Sequence, residues 1–236
     1  MEIISYGGGV QTAALLVLTA QRKIDNPATH AVFSDTGSEL QATYDHVEFM
    51  FDYAIGQGVG FDVVRTDRGP LHEWDGEMML PMYFADGGFY RRQCTYRWKI
   101  SPIRKWLRKQ GAKKATVQIG ISKEESHRMK DANVKWITHR WPLYELGMDR
   151  QDCINVLHDA GIPVPPKSSC FMCPYRKVSE WHKLRKEAPA EFDKAVEYEK
   201  KQDGMYLCYK GKPLEQIIGM QETLFESDEC GGYCWT

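Results

Sequence analysis

The sequence predicts an α/β protein: a parallel sheet of about five strands flanked by helices, followed by a helical C-terminal region and a mobile tail. Three observations carry this. Apolar runs of strand length recur at Ile3-Ile4 and over residues 30–35, 61–66 and 115–120. Segments with helical spacing of apolar residues lie between them. The first run also ends in Gly7-Gly8-Gly9, a tight turn into a helix. Strands that alternate with helices imply right-handed βαβ units and therefore a parallel sheet.

The elements follow in order. A helix is predicted over 13–22 and a strand over "HAVFSD" at 30–35. A second helix over 39–55 places Tyr44, Val47, Met50, Phe51 and Ala54 on one face. "GQGVG" stops it before the third strand. From 67 to 98 the periodicity dissolves into Gly-Pro, aromatics and "DGG", which reads as a lid or an active-site insertion. A basic amphipathic helix over 101–111 precedes the fourth strand, and a further helix covers 148–160. "GIPVPPKSSCFMCPYR" is rich in turn residues and closes with Cys-x-x-Cys; 178–202 is helical with a break near Pro189, and "ESDECGGYCWT" is the tail. This divides the chain into an α/β domain over 1–145, with the insertion at about 67–98, and a Cys-x-x-Cys region over 146–236 packed on it.

The 236 residues suffice for a substantial core, and a net charge of −1 gives no global bias toward nucleic acid. No apolar run has membrane length and no secretory pattern opens the chain, so a cytoplasmic protein is expected, with no membrane partner. Seven cysteines, an odd count, argue against a disulfide framework and for metal ligands, nucleophiles or small buried hydrophobes.

Glycines directly after a strand let the backbone approach a phosphate, and the helix N-terminus behind them offers free N–H groups. Hydroxyls at Ser5 and Thr12 flank the turn. It has neither the Lys of a P-loop nor the glycine spacing of a dinucleotide site, and a turn with no ligand would read the same locally. The second strand ends in "SDTGSELQATY", where Gly37 permits a tight turn and Asp35 could equally cap a helix.

The turn resembles the PP-loop of the adenine-nucleotide α-hydrolase-like superfamily, whose usual form is S-G-G-x-D-S. Here the loop is one residue longer, Gln11 stands in place of Asp and Thr12 in place of Ser. Asp35, Thr36, Gly37, Glu39, Thr43 and Tyr44 fit the phosphoadenylyl sulfate reductase branch of that superfamily. Gly120, Ile121, Glu125, Ser126 and Arg128 match its later G-I-R-x-x-E-S-x-R, although Glu125 and Arg128 could also be a plain i,i+3 pair. The resemblance implies a Rossmann-like sheet that binds an adenine nucleotide through Ser5, Gly7, Gly8, Gly9, Gln11, Thr12, Asp35, Thr36, Gly37 and Arg128. Arg92 and Lys99, within a basic and aromatic stretch, are further anion-binding candidates.

"RRQCTYRWKISPIRKWL" resembles the cysteine segment of iron–sulfur adenylyl sulfate reductases, with Thr95 where a second Cys is usual. Cys94 together with Cys170 and Cys173 offers three thiolates to a [4Fe-4S] cluster or, with a fourth ligand from Cys153, Cys230 or Cys234, to Zn²⁺; three buried thiols are the plain alternative. Glu229-Cys230-Gly231 echoes the reductases' C-terminal nucleophile, making Cys230 the catalytic candidate. The resemblance implies reduction of an adenylyl sulfate to sulfite, with a thioredoxin-like partner restoring the thiol. Its alternative is an iron–sulfur-dependent ATP pyrophosphatase, using Mg²⁺ and a sulfur donor, that adenylates and thiolates a nucleobase or nucleic acid. A homo-oligomer is compatible with either.

Overall fold

The computed structural model describes residues 1–208 and 211–217. Strand β1 (Glu2–Tyr6) leads through the glycine turn to helix α1 (Val10–Ala20), then to β2 (His30–Asp35), α2 (Gln41–Gly56) and β3 (Gly60–Arg65). The insertion holds a short strand, β4 (Tyr83–Phe84), and ends in a π-helix, Thr95–Ile100, that runs into α3 (Ser101–Lys109). Then come β5 (Ala115–Ile119), β6 (Ile137–Arg140), α4 (Pro142–Glu145), α5 (Arg150–Asp159), α6 (Val178–Glu187), α7 (Pro189–Lys200) and β7 (Met205–Tyr206).

The sheet order is β3-β2-β1-β5-β6, and every pairing is parallel. The chain winds outward from β1 on one side and resumes at β5 on the other. The strand order therefore reverses beside β1, where open α/β sheets leave a crevice at the strands' carboxyl ends. Alternation along β1 sends Ile4 and Tyr6 into a core with α1, α2 and α5, and Ile3 into a core with α3 on the other face. Both Ile3 and Ile4 are fully buried, as a central parallel strand requires.

A further core lies off the sheet. The insertion supplies Leu71, Met79, Leu80 and Met82; the C-terminal region supplies Cys170 to Met172, Trp181, Leu184, Phe192, Leu207 and Cys208. Antiparallel pairing of β4 with β7 ties the two regions together. Buried Glu199 fastens the segment after α7, accepting from the backbone N–H of Leu207 at 2.7 Å and of Leu214 at 2.8 Å. In the π-helix the Trp98 carbonyl accepts from the Ser34 hydroxyl of β2 at 2.7 Å; its α-helical donor would be Pro102, which has no N–H to give. Among the described residues no helix is long and apolar enough to cross a membrane.

One buried base couples this fold to pH. His46 of α2 is 7% exposed and its Nε2 has no hydrogen-bond partner among the described residues. Burial holds its pKa near 4, against 6.5 for a free imidazole. The unfolded chain therefore takes up a proton below pH ~6.5 that the folded chain refuses until pH ~4. Stability is full above pH 6.5 and is expected to fall by about 3 kcal/mol between pH 6.5 and 4. Urea titrations across that range check this, with His46→Gln flattening the curve; an unchanged slope in the variant assigns the loss to other groups.

Candidate active site

The first side of the site is the turn between β1 and α1. Gly8 has φ +73°, the left-handed region that glycine alone enters without strain. The Thr12 hydroxyl holds the turn closed, donating to the Gly9 carbonyl at 3.0 Å and accepting from the Gly7 N–H at 3.3 Å. Helix α1 has neither a side-chain cap nor an acidic residue in its first turn. Its first amides and the positive end of its dipole thus face the crevice unneutralised, a setting that favours an anion. Ser5 sits deeper, buried within β1. Gly120, at the end of β5, closes the other wall: a Cβ there would meet Thr12 Cγ2 at 2.8 Å and the Thr12 backbone nitrogen at 2.9 Å.

Gln11 and Arg128 meet across this wall through Glu125. The Gln11 amide donates to Glu125 Oε2 at 3.3 Å, and Arg128 pairs with the same carboxylate from a short 3₁₀ turn, Lys123–Arg128. Gln11 thereby ties the first turn to the end of β5, and Arg128 forms the i,i+3 pair that the spacing allows.

The second side is the loop after β2. Asp35 is filled by its own surroundings: it accepts from the Gly37 N–H at 2.7 Å, the Tyr44 hydroxyl at 2.8 Å and Arg65 Nε at 2.7 Å. Burial first, and then Asp35, raises the Tyr44 phenol well above its usual range, which keeps it a donor. Gly37, at φ +68°, passes so close to Pro70 that a Cβ would lie 2.9 Å from the Pro70 Cα. Asp35 thus shapes this loop, while Thr36 and Glu39 face a sulfur. The Thr36 hydroxyl donates to Glu39 Oε1 at 3.0 Å and lies 3.5 Å from Cys170 Sγ. The Cys170 thiol donates to the same oxygen at 3.6 Å, and Lys99 Nζ, delivered by the π-helix, lies 3.2 Å from it. Burial first, and then the Glu39 charge, pushes the Cys170 thiol well above its ordinary pKa.

The remaining cysteines sort by location. Cys94 and Cys173 pack against the core that contains Cys170, and both lie within electrostatic reach of Tyr175, over whose ring Arg92 stacks at 5.1 Å. Cys153 is a correction to the expected ligand set: it belongs to the core between α1 and α5, where burial pushes it up to about 12. Cys230, Cys234 and the tail lie outside the described residues. The thiols of Cys94, Cys170 and Cys173 share one core and have the softness that iron and zinc favour, so donor type fits such a group. Among the described residues, no three His, Cys, Asp or Glu side chains are already gathered to hold a metal ion.

For three residues here the sequence did not show the role. Glu39 carried a signal, being the acidic residue after Asp35-Thr36-Gly37, yet nothing local showed that it would meet Cys170. Cys208 is fully buried in the same core as Cys170, and Arg176 is buried just after the Cys-x-x-Cys. Neither had a local signal.

A family model for the phosphoadenosine phosphosulfate reductase domain matches residues 2–166. An uncharacterized protein of Methanocaldococcus jannaschii is 25% identical over 210 residues, covering 81% of this chain; the chain spans only 40% of that relative. Among solved structures, phosphoadenylyl-sulfate reductase from Candida auris, in a phosphate complex, aligns with a TM-score of 0.48 at 14% identity, over 70% of this chain and 74% of that one. The U34-tRNA thiolase of Methanococcus maripaludis, with its [4Fe-4S] cluster, aligns with a TM-score of 0.48 at 13% identity, over 85% of this chain and 70% of that one.

Proposed function

Because the chain belongs to the phosphoadenosine phosphosulfate reductase domain family, we propose that it is an enzyme that holds an adenine nucleotide at the β1–α1 turn and performs sulfur chemistry beside it. One observation carries this reading: the Cys170 sulfur lies 3.5 Å from the Thr36 hydroxyl, at the end of the strand paired with β1. A thiol and an uncapped helix start thus occupy neighbouring strand ends.

In this reading the amides of Gly8, Gly9 and the first turn of α1 take the phosphates, with Thr12 and Gln11 fixing their geometry. Thr36 and Gly37 border the nucleotide on the β2 side, and Arg128 and Arg92 supply positive charge at the rim. Because Cys170 sits in the folded body beside the turn, the favoured reaction is nucleotide activation. An oxygen of a nucleobase or nucleic-acid acceptor attacks the α-phosphorus of Mg²⁺-bound ATP and pyrophosphate leaves. Sulfur from a sulfur donor then displaces AMP, which departs with the acceptor oxygen. Cys94, Cys170 and Cys173 would hold a [4Fe-4S] cluster, or Zn²⁺ in its place, which when bound supplies a site where sulfur can be carried or thiolates stabilised.

The family match favours a second reading. The Cys230 thiolate attacks the sulfur of an adenylyl sulfate, expelling the nucleotide phosphate and leaving an S-sulfonate on Cys230. One thiol of a thioredoxin-like partner then attacks the Cys230 sulfur, expelling sulfite and forming a mixed disulfide, and the partner's second thiol releases Cys230 as its own disulfide closes.

One preparation separates these readings. Protein purified without oxygen is expected to contain iron and acid-labile sulfide in fixed ratio to the chain, and to release pyrophosphate from ATP only when RNA or DNA is present. Sulfite release from adenylyl sulfate, lost in Cys230→Ser, moves the assignment to the reductase. Absence of binding to either nucleotide in calorimetry overturns both.

A further inference from the structure

The glycine turn is roofed by a segment about 160 residues away in sequence. A Cβ on Gly9 would meet the Ser168 hydroxyl oxygen at 3.1 Å, and one on Gly8 would meet Ser168 Cβ at 3.7 Å. Ser168 therefore stands over the two glycines whose amides open α1. It is half-buried, and no hydrogen-bond partner for its hydroxyl is found among the described residues. Two residues further on, the same segment is pinned to the β2 loop: Cys170 bridges Glu39, and the Phe171 N–H donates to the Ser38 carbonyl at 2.9 Å.

A second, independent feature points to an anion here. Arg176 is 8% exposed, and no carboxylate pairs with it among the described residues. One terminal nitrogen donates to Ser169 Oγ at 2.7 Å and to the Cys170 carbonyl at 3.1 Å, and the guanidinium lies over the Trp181 ring at 5.2 Å, while its Nε has no hydrogen-bond partner among the described residues. A buried guanidinium without a counter-charge is costly unless negative charge arrives nearby.

We infer that Ser168 is a ligand of the phosphate chain held at the glycine turn, with Arg176 as the positioning residue that sets the Ser168–Ser169 segment and places positive charge behind it. This rests on the glycine turn being the phosphate site. Ser168 would donate its hydroxyl to a phosphate oxygen from the side opposite the α1 amides, so a phosphate-bearing ligand joins the turn to the strand of chain that carries Cys170. The ligand class is a nucleoside polyphosphate or pyrophosphate, not a nucleoside.

The test is titration calorimetry of wild type, Ser168→Ala and Ser168→Thr with ATP, inorganic pyrophosphate and adenosine. A hydrogen bond to a charged oxygen predicts about a tenfold loss of ATP and pyrophosphate affinity in S168A, restored in S168T, with adenosine unaffected. In parallel, ATP should slow alkylation of Cys170 in wild type, and S168A should need about ten times more ATP for the same protection. Wild-type affinity in S168A, or an equal loss for adenosine, overturns the role of Ser168 and leaves the nucleotide site standing. Failure of the wild type to bind either phosphate compound overturns the site and this inference together.

Discussion

Gly8→Ala is expected to leave the fold in place and to weaken ATP binding by about a hundredfold. Two costs meet at this residue. An alanine held at φ +73° is strained by about 1–2 kcal/mol. Its Cβ would also lie 2.9 Å from Thr43 Cγ2. Thr43 is fully buried in α2, so its close-packed surroundings leave the methyl little room to give and the turn moves instead. A loss of about 2–3 kcal/mol in the contacts of the displaced amides to a phosphate corresponds to roughly a factor of 10² in affinity. Gly58→Ala is the internal control: its φ is +75° and a Cβ there meets nothing within 4 Å. That variant carries the same backbone penalty and should lose a few degrees of melting temperature while binding ATP normally. If Gly8→Ala binds ATP as wild type does, the glycine turn is not the phosphate site.

The same residues show what could be read from the sequence and what could not. The strand at 30–35 and the break between α6 and α7 at Pro189 were legible because each depends on local chemistry, an apolar run in one case and a missing N–H in the other. Strand β6 was not, since four residues at the sheet edge, "ITHR", carry too little apolar signal. The π-helix was hidden for a different reason. Within it the Trp98 carbonyl accepts from a hydroxyl on β2, 64 residues away, and no local pattern encodes that bond. In the site, the glycines and Asp35-Thr36-Gly37 were legible as a motif, but the partners that give them meaning were not. Ser168 over Gly9, and Glu39 with Cys170, arise only when the C-terminal segment folds back across the sheet. Lys99, an anion-binding candidate from its sequence context, lies 3.2 Å from the Glu39 carboxylate, a neighbour that no local pattern encodes.

Glu39→Ala should have the second large effect, on stability and on thiol chemistry together. The Glu39 side chain is 2% exposed, and one oxygen serves the Thr36 hydroxyl, the Cys170 thiol and Lys99. Removing one member of a buried charged pair costs about 3–5 kcal/mol. Lys99, with its side chain 29% exposed, recovers some hydration, so about 3 kcal/mol is expected, a fall of roughly 6–12 °C in melting temperature. Glu39→Gln keeps an oxygen for Thr36 and Cys170 and should lose about half as much. The two substitutions share a second consequence. The Glu39 charge helps hold the Cys170 thiol up, so neutralising it lowers the thiol pKa while burial continues to raise it. Cys170 in Glu39→Gln should therefore be alkylated faster than in wild type at pH 8 under native conditions, with Lys99 now favouring the thiolate. A rate that rises equally in a destabilised variant remote from the site, such as Gly58→Ala, would assign the effect to local opening. A rise confined to Glu39→Gln means that the carboxylate, together with burial, keeps the sulfur protonated, and a metal cation arriving beside Thr36 would oppose both effects by favouring the thiolate.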